Sequence, residues 1–111
     1  MYAFKQPQKE WKVREGVPTL ERMQKIVGGY IEHIFIPELE NPKATSYHHR
    51  QQIDIFANEE GRLKNLPPNI VTQDGTILVG TILASRTNSD GETVSLIEGD
   101  LELLQKMEAW E

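Results

Sequence analysis

"TILVGTILAS", Thr76 to Ser85, is the run whose reading decides the fold. It is rich in β-branched and aliphatic residues, the composition of a strand. Gly80 sits in its middle with no side chain to pack, which marks a bulge or a close approach of another part of the chain. Asp74-Gly75 turns the chain before the run. "TNSDGE", Thr87 to Glu92, carries the Asp-Gly hairpin signal after it. "TVSLI", Thr93 to Ile97, then returns as the partner strand. On this reading Thr76–Ser85 is the most strand-like run of the chain and forms a hairpin with Thr93–Ile97.

The same rules extend upstream. "QIDIFAN", Gln52 to Asn58, alternates, with Ile53, Ile55 and Ala57 on one face and Phe56 opposite beside Asp54. "NEEGRLKNLPPN", Asn58 to Asn69, then reads as a corner: a strand exit, one helical turn seated on the core by Leu63 and Leu66, and a stiff extended exit at Pro67-Pro68. "YIEHIFIP", Tyr30 to Pro37, has apolar residues on both faces, which suggests a central strand, and Pro37 stops it or marks an edge. "PTLERMQKIVGG" reads as a helix with Leu20, Met23 and Val27 on one face, ended by Gly28-Gly29. "WKVRE", Trp11 to Glu15, suits a short strand with Trp11 and Val13 inward. "GDLELLQKMEAWE", Gly99 to Glu111, reads as a C-terminal helix lined by Leu103, Met107 and Trp110, with Ser95 and Glu98 at capping-box spacing. Glu38 to Gln51 is a long polar connection.

Strands and helices therefore do not alternate regularly, and the expected class is α+β. Residues 1–10 are expected to be a loose segment. Residues 11–111 are expected to form one small domain, a mixed or antiparallel sheet of about five strands with two helices packed on it.

The totals fit that picture. The chain has 111 residues, 38% of them hydrophobic and 26% charged, so it is globular and not a disordered tail. The net charge of -5 argues against extended contact with a phosphate backbone. There is no cysteine, which excludes disulfides and thiolate metal sites. No secretory signal is visible in Met1–Pro7, and the longest apolar stretch is too short to span a bilayer. A cytoplasmic protein is the expectation.

Chemistry is sparse. His48 and His49 are adjacent and point to opposite sides of an extended chain, and with His33 they match no metal-ligand spacing. No metal or cofactor is expected. Tyr47-His48-His49-Arg50 is the one locally basic, aromatic stretch. Gly28-Gly29 follows a helix and precedes a strand, the reverse of a phosphate cradle, and reads as a helix end. No nucleophile elbow or Ser-His-Asp arrangement is visible, so there is no positive sign of an enzyme and the question stays open.

The segments "LERMQKIVGGYIEHI", "DIFANEEGRLKNLPPN", "ILVGTILAS" and "GETVSLIEGD" together resemble a small family from phages and bacterial mobile elements, domain of unknown function 3846. The resemblance covers about residues 18–101. Matching positions are Gly28, Gly29, Ile31, Glu32, Asn58, Glu59, Gly61, Leu63, Leu66, Pro67, Asn69 and Gly80. The segment Pro37–Gln51 departs from the pattern by its length. The resemblance implies a phage-type accessory protein acting in a bacterial cytoplasm and names no reaction.

The expected function is capture of a small host molecule, a nucleotide-derived immune signal being the leading candidate. Glu32, Asn58, Glu59 and Asn69 would supply polar contacts, Tyr30 would stack, and Arg50 with Lys64 would face phosphate. A protein–protein inhibitor or adaptor acting on a host protein is the alternative, and a small hydrolase comes third. A homo-oligomer built on the C-terminal helix is a further option. Neither extended nucleic acid nor membrane is expected as a partner.

Overall fold

Thr76–Ser85 is two strands that belong to different sheets. The computed structural model describes residues 1–111. In chain order the strands are β1 (Tyr2–Lys5), β2 (Lys12–Arg14), β3 (Ile31–Ile34), β4 (Asp54–Asn58), β5 (Pro68–Val71), β6 (Ile77–Val79), β7 (Ile82–Thr87), β8 (Thr93–Val94) and β9 (Glu108–Ala109). The helices are α1 (Leu20–Val27) and α2 (Asp100–Gln105), and Pro37–Leu39 makes a single 3-10 turn. The larger sheet runs β2-β1-β7-β4-β3, and β8 pairs with the far end of β7. The smaller one runs β6-β5-β9, and every pairing is antiparallel. The α+β class and the two helices hold, and the smaller sheet is additional to the expected one.

The break is made at Gly80. Its φ of +74° lies in the left-handed region, where a Cβ is penalised. A Cβ there would also stand 2.8 Å from Leu66 Cδ1, so the close approach expected of this glycine is to a side chain of the corner. The Gly80 N–H donates to the Pro67 carbonyl at 2.8 Å, which locks the bend to the double proline. The chain thus leaves β6 in the small sheet and enters β7 in the large one within two residues.

Alternation then sorts the layers. From β4, Ile55 and Ala57 join Ile70, Leu78, Ile82, Ala84 and Leu104 in a twelve-residue core between the sheets and α2. On the other face, Met23 and Val27 of α1 pack on Tyr2 and Leu83. Thr19 caps α1 by accepting the Arg22 N–H, and Gly28 closes it in the left-handed conformation with φ +83°.

Several expectations are corrected. Residues 1–10 are not uniformly loose: Tyr2–Lys5 pairs with both β2 and β7, and Ala3 is fully buried. The apolar alternation of a four-residue strand was too brief to outweigh its polar surroundings. Strand β2 is an exposed edge, so Val13 is not inward. Strand β3 is the opposite edge, not a central strand, and Tyr30 and Phe35 beside it are exposed. Leu20 and Leu63 are also exposed, leaving Leu66 to hold the corner. The C-terminal helix stops at Gln105, because Glu108 and Ala109 instead pair with β5 and cover its free edge. No Ser95–Glu98 capping box forms: Gly99 occupies the cap position, and Asp100 Oδ2 accepts the Ile97 N–H.

The far end of β7 is fastened by a buried ion pair. Arg86 and Asp100 are both essentially inaccessible, and they meet through Nε–Oδ2 at 2.6 Å and Nη2–Oδ1 at 2.7 Å. Arg86 also donates to the Arg50 and Gln51 carbonyls, and Asn41 Nδ2 donates to Asp100 Oδ1 at 2.8 Å. Asp100→Ala leaves the guanidinium buried and unpaired, so the unfolding free energy in urea should fall by about 3–5 kcal/mol. Arg86→Met with Asp100→Leu should recover part of that loss. Gly80→Ala should cost about 1–3 kcal/mol, and adding Leu66→Ala should not restore the parent stability, because the left-handed φ remains. Equal stability of Gly80→Ala and the parent in the same assay would refute this account of the bend.

Candidate functional site

The corner after β4 shapes an open cleft of about 400 Å³ between the β3–β4 side of the large sheet and β6 of the small one. Ile34, Ala57 and Leu78 give it an apolar lining, and Glu32, Glu59 and Arg62 supply charge. Glu32 comes from the same face of β3 as Ile34, as period two requires. Arg62 is held by donating from Nη2 to the Ile77 carbonyl at 2.7 Å, which ties the turn to β6.

Asn58 is the joint behind this cleft. It is buried, its Nδ2 donates to the Val27 carbonyl at 3.3 Å, and its Oδ1 accepts the Glu60 N–H at 2.9 Å. A Cβ on Gly29 would lie 2.9 Å from Asn58 Nδ2. The glycine pair thus ends α1 and lets the β4 corner approach it. Asn58 lines the cleft while its amide is already hydrogen-bonded within the protein.

The seven residues expected to bind a ligand are not all brought together. Glu32, Asn58 and Glu59 line the cleft. Tyr30 is 66% exposed and does not line it, nor does the exposed Lys64 on the corner. Arg50 lies beside Arg86, toward the Asp54 end of β4, whereas the cleft is at the Asn58 end. Asn69 is fully buried. Arg62 was missed, although it sits three residues after Glu59, the separation of neighbours in a helical turn.

Asn69 performs a different task. Its Oδ1 accepts from Lys5 Nζ, and its Nδ2 donates to the Lys5 and Gly80 carbonyls, each at 2.7 Å. Its own carbonyl accepts the Trp110 N–H at 3.0 Å. One asparagine therefore joins β1, the Gly80 bend and the residue that follows β9. Burial pushes the Lys5 ammonium below the usual lysine range, and Glu10 partly opposes the shift.

The remaining clusters make no catalytic set. His33 Nε2 meets Asp54 Oδ1 at 3.0 Å, and Thr87 Oγ1 donates to Asp54 Oδ2 at 2.6 Å. The carboxylate stands between hydroxyl and imidazole, so the imidazole is not placed to take the hydroxyl proton. His48 Nδ1 accepts the Thr45 N–H, while the His49 N–H donates to the Thr87 carbonyl. No group of three or more His, Asp or Glu side chains is placed to hold a metal ion. No helix is long and apolar enough to cross a membrane.

The lowered Lys5 value sets a pH dependence. Between the folded value and 10.5 the unfolded chain binds more protons at this site, so stability rises with pH there. The burial penalty is present in full below the folded value and disappears above the unfolded one. Urea unfolding of the parent and of Lys5→Met should therefore show a difference that moves in favour of the parent as pH is raised from neutral toward 10.5. A pH-independent difference would contradict the desolvated ammonium.

No curated protein and no solved structure matches the chain significantly. The model of one family does match, over residues 3–109, a span that takes in β1 and β9 and exceeds the 18–101 marked by the sequence segments. Matched over nearly its whole length, the chain belongs to the family described as Domain of unknown function (DUF3846).

Proposed function

We propose that the protein is a phage-type accessory protein, acting in the bacterial host cytoplasm, that binds a small host molecule in the Glu32–Glu59–Arg62 cleft and sequesters it unchanged. A nucleotide-derived immune signal is the ligand class that best suits the lining. The carboxylates of Glu32 and Glu59 accept hydrogen bonds from ring N–H and exocyclic amino groups of a base. Ile34, Ala57 and Leu78 give the base an apolar bed. Arg62 faces phosphate.

The observation that carries this reading is the cleft itself. Its volume of about 400 Å³ falls within the range of small-ligand sites. Glu59 and Arg62 stand on a corner fixed by Asn58, Leu66 and the double proline, and Glu32 stands on β3, so little ordering is left for the ligand to drive.

A second reading, a protein inhibitor or adaptor, draws on β3. Glu59 N–H donates to the Tyr30 carbonyl, so the backbone groups of Tyr30, Glu32 and Ile34 face β4. Those of Ile31, His33 and Phe35 then point outward along a free edge. The exposed Tyr30 and Phe35 flank it, the arrangement to which a partner strand can add.

Calorimetric titration with cyclic dinucleotides and linear nucleotide signals tests the first reading. One member should bind, be recovered intact after heat denaturation, and bind at least about tenfold more weakly to Glu59→Ala or Arg62→Ala, a loss of about 1.4 kcal/mol. Absence of binding across the panel, or recovery of a cleaved product, would sink sequestration. A host protein retained from bacterial lysate by the parent, and lost with Ile31→Pro, would favour the second reading.

A further inference from the structure

A hollow of about 460 Å³ lies between the chain following β1 and the C-terminal segment, and it shares no lining residue with the cleft. Trp11 and Trp110, the only tryptophans of the chain, both line it, with Lys5 and Lys9. The close aromatic pairs are His33–Phe56 and Tyr47–His48, so the two indoles are not spent on each other. Trp110 remains 39% exposed.

Lys5 is the unusual member. It is 6% exposed, and its ammonium, which carries three N–H donors, has one hydrogen-bond acceptor, the neutral Asn69 amide. The ion pairs of the protein are His33–Asp54, Lys43–Glu98 and Arg86–Asp100, so no carboxylate lies within 4.0 Å of Lys5 or Lys9. Glu10 and Glu111 line the hollow without closing such a pair. Glu10 offsets part of the burial cost from a distance but forms no direct pair with this ammonium, and an anion that reached it would relieve more of that cost. Asn69 holds both sides at once: its side chain fixes Lys5, and its carbonyl fixes Trp110.

We infer that this hollow is a binding site for a planar aromatic anion, whose ring packs on the Trp11 and Trp110 indoles while its phosphate or carboxylate pairs with Lys5. Indole faces bind planar rings of many kinds, and the ammonium selects those that carry negative charge. Asn69 acts as a positioning residue beneath the site. The inference is independent of the Glu32–Glu59–Arg62 cleft, because neither site contains a residue of the other.

Both tryptophans stand in the hollow, so their fluorescence reports occupancy directly. The probes are adenosine 5′-monophosphate and nicotinate as charged aromatics, adenosine and nicotinamide as their uncharged counterparts, and inorganic phosphate and acetate as anions without a ring. At least one charged aromatic should quench saturably with Kd at or below about 1 mM, at least about tenfold more tightly than its uncharged counterpart. Whether the nucleotide or the aromatic acid binds identifies the source of the ligand. Trp110→Leu, at a partly exposed position, should keep the fold by circular dichroism and lose binding by calorimetry. Lys5→Met should abolish the preference for charge, and Glu59→Ala should leave both affinity and preference intact. If Lys5→Met does not fold, the charged-to-uncharged comparison and Trp110→Leu decide. No saturable quenching, equal affinity for charged and uncharged rings, or loss of binding in Glu59→Ala would overturn the assignment.

Discussion

The structure turns on the contact between Arg86 and Asp100. Arg86 lies in β7, which pairs with three other strands, and Asp100 opens α2. Joining them seats the helix on the inner face of the large sheet. The same guanidinium takes the Arg50 and Gln51 carbonyls, and Asn41 bridges Asp100 to the start of the long polar connection. A segment that would otherwise lie loosely over the sheet is thus tied at both ends. Desolvating two charges is expensive, so the pair does not recommend itself as a source of net stability. Its geometry is demanding, however, because the two hydrogen bonds of the ion pair and several others converge on this one placement of α2.

The second constraint is steric. Gly80, Leu66 and Pro67 occupy one another's space, so the bend between β6 and β7 and the corner after β4 form a single unit. The bend sends the chain from one sheet to the other, and the corner brings the turn of Glu59 and Arg62 against β6. The cleft is therefore a consequence of how the sheets are linked. Arg62 is tied to β6 on that same corner, and Glu32 faces it from β3.

Much of this was legible from local pattern. Met23, Val27 and Gly28 specify α1 and its end by spacing and by left-handed conformation. Ile53, Ile55 and Ala57 specify the inner face of β4, and Asp90-Gly91 specifies the turn before β8. What was illegible depends on partners distant in sequence. Nothing local in "TILVGTILAS" says that the residues before Gly80 pair with β5 and those after it with β1 and β4. The periodicity of Leu103, Met107 and Trp110 is helical, yet the free edge of β5 takes Glu108 and Ala109 into a ladder. The candidate site shows the same division. Glu32 and Glu59 reach the cleft because alternation and a short turn place them there. Arg50 and Lys64 were grouped by charge alone, and charge carries no information about which end of β4 a side chain adjoins.

Asn58 and Asn69 bracket the corner in sequence, and their shared chemistry explains why polarity misleads at such positions. A buried amide must find partners for both its carbonyl and its NH2. Asn58 finds them at the end of α1 and in its own turn; Asn69 finds them in Lys5 and at Gly80. Each gathers segments that no continuous apolar surface would bring to one place. An asparagine in a rigid corner therefore carries two meanings, a contact offered to a ligand or a fastening that shapes the ground around one, and hydrogen-bond saturation separates them. Here both amides are engaged within the fold, so on the proposed readings the groups left to meet a ligand would be their neighbours, Glu59 and Arg62 beside one, Lys5 and Trp110 beside the other.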